Sequence, residues 1–341
     1  MSKPTLSKIA ATLGLSVATV SKALKDYPDI SFATKKKVKE LAEKLNYTPN
    51  SYAQSLRNQE SKIIGLIIPE IVHHFFANII LGVVKAAEKE GYLVITLQSD
   101  EKYEVEKKQI ELLLNKNVDG ILISLADNTV DHKHVKHIKD SGVPVVLYDK
   151  ISKLINCHKI VIDDEKAAFD ATKHLIESGC KKVAHIRGPL KPQTTIDRFK
   201  GYKRALKHFN IEFDNNLVFE TKNLSFKDGK EIAEDIYRNH KDIDGVFAMT
   251  DLLATGALVR LQELGLSIPE DISIIGFSNW FLTKITTPRL STVNQPGYEM
   301  GEAAFKMLLE EIDDHKNNRN VIYETVEIPT KVIIRDSTLK H

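Results

Sequence analysis

The chain has 341 residues, 42% hydrophobic and 28% charged, with a formal net charge of +2. That is too long for one small module and sufficient for two or more cores. Cys157 and Cys180 provide neither a disulfide framework nor metal-ligand spacing. No uninterrupted apolar run approaches the ~20 residues of a membrane span. The opening Met-Ser-Lys-Pro-Thr-Leu-Ser-Lys lacks an apolar signal core, so the expectation is a cytoplasmic protein. Charge is unevenly distributed: the first 60 residues carry ten Lys or Arg against five Asp or Glu, net +5, and the remainder carries 38 against 41, net −3. A basic head on a mildly acidic body is a footprint for phosphates, although runs such as Lys35-Lys36-Lys37 also occur on solvated helix faces.

In chain order, residues 5–24 predict two short helices folded on each other. Ala10 is small at their crossing, Gly14 supplies a left-handed turn residue, and Val20 and Leu24 form the buried side of the second helix. Ser16 is placed to cap that helix, and Val17, Ala18, Ser21 and Lys22 face out. An exposed second helix makes DNA binding the leading hypothesis, with an ordinary surface hairpin as the alternative. Ser31 starts a third helix through Val38, Leu41, Ala42 and Leu45. After Asn46-Tyr47-Thr48-Pro49, Asn50 can cap a short helix over residues 51–57. Two isolated turns are marginal in water, so this segment needs a partner to persist.

Beyond residue 62, short β-rich runs alternate with helical stretches. Residues 63–68, 92–97, 120–125 and 143–148 form one series, and 182–186, 245–249 and 272–277 a second. Parallel sheets covered by helices on both faces follow, in two lobes. His132, His134 and His137 fall in a Lys-rich stretch read as a solvated surface helix. The chain has no Gly-x-Gly, no Gly-Lys-Ser/Thr and no Gly-x-Ser-x-Gly, so neither a catalytic site nor a cofactor or metal is expected.

The N-terminal pattern, the Tyr47-Thr48-Pro49-Asn50 link and Leu56 resemble the LacI/GalR family of bacterial transcriptional regulators. So do His174-Leu175-Ile176-Glu177-Ser178-Gly179, Arg198-Phe199-Lys200-Gly201-Tyr202, Gly245 to Asp251, Ile268 to Phe277, Gln295-Pro296 and Gly301. The resemblance implies an all-α helix-turn-helix head followed by an α/β, type I periplasmic-binding-protein-like body of two lobes joined by three crossing strands. The expected boundaries are 1–49 for the head, 50–61 for a hinge helix and linker, and 62–341 for effector binding and dimerisation. Lobe 1 would take 62–161 and 292–322, and lobe 2 162–291 and 323–341. The protein would bind operator DNA as a homodimer and commonly act as a repressor under control of a small-molecule effector. No heptad extension follows Ile334-Arg335-Asp336, which favours a dimer over a tetramer.

The resemblance also carries residue roles. The second helix enters the major groove, with Val17 and Ala18 making apolar contacts and Lys22, usually arginine in the family, reading bases. Lysine lacks the planar fork of a guanidinium, so looser reading is expected there. Thr5, Ser16, Thr19 and Ser21 bind phosphates or cap helices, and Asn50 belongs to the hinge segment at the DNA. Leu56 is the wedge inserted between base pairs, with Ala53 against the groove floor. In the cleft, Phe75 or Phe76 stacks against the effector, Asp149 and Arg198 bind its polar groups, and Asp251 and Gln295 lie nearby. Core packing is the alternative for either phenylalanine, and pairing with a carboxylate the alternative for Arg198. Ser278 stands where many relatives have an aspartate that grips sugar hydroxyls. Trp280 offers a stacking face, and Leu224 lies where some relatives have an aromatic wall. The expected effector is a sugar or sugar derivative. A transport-type binding protein or an enzyme on the same body is the competing class, disfavoured by the basic head and by the missing catalytic motifs.

Overall fold

The computed structural model describes residues 4–47 and 60–338; the hinge positions Asn50, Ala53 and Leu56 lie outside the described residues. The chain divides into two compact units, residues 1–61 and 62–341.

The head consists of α1 (Leu6–Leu13), α2 (Val17–Leu24) and α3 (Phe32–Lys44). Each begins at a hydroxyl that accepts a backbone N–H three residues on: Thr5 from Lys8, Ser16 from Thr19, and Ser31 from Thr34. Gly14 ends α1 at φ 63°, a conformation open to glycine without a Cβ penalty. Ile9, Ala10, Val20, Ala23, Val38 and Ala42 close a small core, with Leu24 only partly buried against it. Ala23, and not Leu24, is therefore the fully buried partner of Val20.

The body holds two six-stranded sheets. The first runs β11-β5-β4-β3-β1-β2 and contains β1 (Ile63–Ile68), β2 (Leu93–Gln98), β3 (Gly120–Ile123), β4 (Val145–Tyr148), β5 (His158–Val161) and β11 (Thr325–Glu327). The second runs β12-β10-β9-β8-β6-β7, with β6 (Val183–Arg187), β7 (Val218–Glu220), β8 (Gly245–Ala248), β9 (Ser273–Ser278), β10 (Ser291–Asn294) and β12 (Lys331–Ile333). All pairings are parallel except β10 with β12. β1 is buried along nearly its whole length, as a parallel strand covered on both faces must be.

Helices cover the sheets. α4 (His74–Lys89) and α11 (Gly297–Lys316) pack together beside the first sheet, so closely that a Cβ on Gly82 would lie 2.1 Å from the Tyr298 carbonyl oxygen. α5 (Tyr103–Asn115) and α6 (Lys133–Asp140) belong to the same lobe, while α7 (Asp164–Glu177), α8 (Gln193–His208), α9 (Phe226–Asn239) and α10 (Asp251–Glu263) belong to the other.

The chain passes between the sheets after β5, after β10, and between β11 and β12. These crossings correct the lobe boundaries read from sequence. Residues 292–294 lie in the second lobe, because β10 pairs with β9 from Ser291 to Asn294. Residues 325–327 lie in the first, because β11 pairs with β5, and Ile328 donates its N–H to the Val161 carbonyl. Strands of three or four residues have too short a period to announce which sheet they join.

His134 is a second correction. It is not solvated: its Nε2 lies 2.6 Å from Glu106 Oε1, and both side chains are buried. Glu106 also accepts from the Ala126 N–H at 2.6 Å and the Thr129 hydroxyl at 2.8 Å, fixing the turn after β3. Lysines at 133, 136 and 139 mark the outer face of α6 but conceal that its inner face carries a histidine.

Candidate functional site

In the head, α2 presents Val17, Ala18 and Lys22 to solvent, with Thr19 and Ser21 half-buried. Thr5 and Ser16 are engaged as caps, and the Ser16 hydroxyl also lies 2.8 Å from that of Thr19. Lys22 Nζ donates to Asp29 Oδ2 at 2.5 Å. An exposed helix of small side chains ending in a cation suits a groove edged by phosphates.

In the body, the ends of β1, β3, β4, β6, β8, β9 and β10 surround a cavity of about 800 Å³. This is where parallel α/β sheets place ligands, because strand ends meet helix N-termini there. Phe75 and Phe76, their rings 5.2 Å apart edge to face, line it although each is nearly buried. Trp280 and Leu224 line it from the second lobe.

A polar chain runs across the two lobes at this cavity. Ser278 Oγ donates to Gln295 Oε1 at 3.3 Å, and Gln295 Nε2 donates to Asp149 Oδ1 at 2.9 Å. Burial raises the Asp149 carboxyl above its ordinary value, against the pull of Lys150, Arg198 and the Gln295 hydrogen bond. Asp149, Ser278 and Asn279 adopt φ of 56°, 108° and 55°. Such values are unusual for side-chain-bearing residues and gather at ligand sites.

Arg198 lines the cavity and is anchored on three sides. Its Nε donates to Asp164 Oδ1 at 2.7 Å, its Nη1 to the Met249 carbonyl at 2.7 Å, and its guanidinium lies 3.6 Å over the Phe277 ring. The pairing with a buried carboxylate, the alternative given for this residue, is therefore present, alongside its place on the cavity wall. Burial pushes Asp164 up to about 6 despite the adjacent cation.

Asp251 lies near the cavity, between the lining residues Thr250 and Leu252. Its carboxylate does not line the cavity; Oδ2 accepts the Trp280 N–H at 2.7 Å and Oδ1 the Thr292 hydroxyl at 2.6 Å. As the first residue of α10 it turns inward, and burial raises it to about 6. Asp251 therefore positions Trp280.

Lys150, Glu101 and Asp127 were not singled out from sequence. Lys150 Nζ donates to Glu101 Oε1 at 2.5 Å and also to Asp127, and all three line the cavity. Its place directly after Asp149 at a strand end was the available signal. His73, also on the wall, is held neutral near pH 7 because burial lowers it to about 4. Among the described residues no group of three or more His, Cys, Asp or Glu is arranged to hold a metal ion.

A helix-turn-helix head and a two-lobed α/β receptor in one chain define a DNA-binding protein under small-molecule control. Residues 5–50 match the family described as "Bacterial regulatory proteins, lacI family", and residues 61–336 match "Periplasmic binding proteins and sugar binding domain of LacI family". Catabolite control protein A of Priestia megaterium is 33% identical over 98% of this chain and 99% of that protein. The HTH-type transcriptional repressor PurR of Vibrio atlanticus is 33% identical over 97% of this chain and 98% of its own length. A LacI family regulator from Enterococcus faecium, solved with bound ribose, is 28% identical and superposes with a TM-score of 0.71, covering 81% of this chain and 98% of that one. The chain belongs to the LacI family: it is a DNA-binding transcriptional regulator controlled by a small-molecule effector. Among the described residues no helix is long and apolar enough to cross a membrane.

Proposed function

We propose that this protein is a homodimeric repressor in the bacterial cytoplasm that releases or grips its operator when a sugar or sugar derivative enters the cavity between its lobes. It acts by binding and converts nothing. The observation that carries this reading is the cavity of about 800 Å³, with aromatic walls and the Asp149–Gln295–Ser278 chain, in the same polypeptide as the exposed α2. Apolar walls with a few oriented polar groups suit a ring bearing hydroxyls. Asp149, Gln295, Ser278 and Arg198 Nη2 take the hydroxyls, and Phe75 or Phe76 and Trp280 take the ring face. Ser278 cannot supply the two anionic acceptors of an aspartate, so the grip relies on Asp149.

On DNA, Lys22 reads base edges, Val17 and Ala18 meet apolar base surfaces, and Thr5, Ser16, Thr19 and Ser21 meet phosphates. Asn50, Ala53 and Leu56 form the hinge that opens the minor groove. The effector acts only through a difference in its affinity for the two lobe arrangements.

Selection from a randomised duplex pool with full-length protein tests the DNA half. Thermal shift across pentoses, hexoses, disaccharides and their derivatives, followed by recovery of the bound compound, tests the other. Enrichment of a palindromic site and stabilisation by one sugar class, recovered unaltered, are expected. No enriched site, or a ligand recovered as product, overturns the reading.

A further inference from the structure

Lys22 is the one cation on the exposed face of α2, and it is not free. Its ammonium donates to Asp29 Oδ2 at 2.5 Å, with both side chains about half exposed. Asp29 lies in the turn between α2 and α3, and that turn is pinned on both sides. Before it, Asp26 takes the left-handed conformation at φ 58°, its two carboxylate oxygens accept from Lys39 at 2.8 and 2.7 Å, and its carbonyl accepts from Lys35 at 3.1 Å. The Tyr27 N–H returns to the Lys22 carbonyl at 3.1 Å. Pro28 restricts the backbone between them, and Ile30 packs against the head core on the far side. The backbone at Asp29 is thus set beside α2 by its neighbours, and from that position its carboxylate meets Lys22.

We propose that Asp29 is a specificity-determining residue that turns Lys22 into a directional base reader. This rests on Lys22 meeting base edges as stated above. A lysine ammonium carries three N–H donors on a flexible stem and by itself discriminates poorly. With one N–H directed to a carboxylate carried on a set backbone, the other two project as a pair, the arrangement that matches the O6 and N7 acceptors of guanine. The carboxylate also repels phosphates, which weakens binding to unrelated DNA. Its two effects act in the same direction, toward selectivity at the expense of general affinity. An exposed pair of this kind contributes little to the stability of the fold, so the heads of the Asp29 variants should remain folded.

The test uses full-length wild type, Asp29→Ala, Asp29→Asn, Lys22→Ala and the double Lys22→Ala, Asp29→Ala variant. Each is put through selection on randomised duplexes and salt titration of affinity, with thermal unfolding as a check on the head. For Asp29→Ala, affinity for unrelated duplex should rise several-fold while the ratio of selected to unrelated affinity falls about tenfold. The lost preference should fall at the base pair whose preference Lys22→Ala also loses, and the double variant should match Lys22→Ala there. Asp29→Asn should lie between, since it keeps an acceptor without the charge. Tighter binding by Asp29→Ala with wild-type preference at every position would make Asp29 a competitor for the lysine and overturn the proposal. So would lost preference at a base pair that Lys22→Ala leaves untouched. Wild type that enriches no duplex would remove the DNA reading itself, an outcome distinct from these two.

Discussion

In the head, Asp26 and Asp29 lie at the surface, each held below its ordinary range chiefly by a hydrogen bond from a lysine, whereas in the body Asp164, Asp251 and Glu311 are buried and pushed up to about 6, 6 and 7 by loss of water. The two regions place carboxylates in opposite environments because they meet different partners. Surface pairs are screened and readily exchanged, which suits a polyanion met in solvent. Asp164 and Asp251 hold Arg198 and Trp280 in fixed geometry at the cavity wall, and their burial comes at some expense in stability.

The sharpest way to break this contrast is Arg198→Ala. It leaves Asp164 buried without its partner and should cost the body about 3–5 kcal/mol, with effector response lost and the head still able to bind DNA. Calorimetric unfolding and operator binding check it; Asp164→Asn should cost less, because no charge is stranded. Asp251→Ala comes next, at about 1–3 kcal/mol for the abandoned Trp280 N–H and Thr292 hydroxyl. Trp280 is the only tryptophan, so a red-shifted emission is expected, and unchanged emission would show that Asp251 does not position Trp280.

Changing pH also separates the two regions. Carboxylates raised in the folded state oppose folding above their folded pKa, and that opposition fades as pH falls toward it. With Glu311 at about 7, wild type should gain on the order of 2 °C relative to Glu311→Gln from pH 8 to 6.5, the histidine contributions being common to both. In wild type itself that gain is offset as pH falls through the ordinary histidine value, since His73 and His185, lowered to about 4 and 3 by burial, stay neutral when folded and gain protons on unfolding. The head has the opposite sign: the contribution of Asp26 and Asp29 is present above the ordinary carboxylate value and is lost as pH falls below it. Ser16→Ala is the smallest effect, a cap loss of about 1 kcal/mol confined to the head. It should lower DNA affinity evenly across sequences; loss at one base pair would give Ser16 a reading role.

Much of this molecule was legible from residue order. Ser16 and Ser31 cap helices as their spacing announced, Gly14 takes the left-handed turn, and β1 occupies residues 63–68 as read. The family resemblance pointed to Asp149, Arg198, Ser278, Trp280 and Gln295 as residues of the cleft, and all five line one cavity. These features are local, or lie at strand ends where a parallel sheet leaves side chains free.

What only the tertiary structure decided depends on partners distant in the chain. The short strands β5, β7, β10, β11 and β12 acquire meaning from the neighbours they pair with, so the lobe boundaries moved when those neighbours were known. Asp164 meets Arg198 across 34 positions, Asp251 meets Thr292 across 41, and Glu106 meets His134 across 28. A carboxylate has the same letter whether it faces a ligand or a buried donor. Periodicity and capping follow from the backbone's own geometry and are written along the chain, but burial and charge pairing are properties of the surroundings that folding assembles.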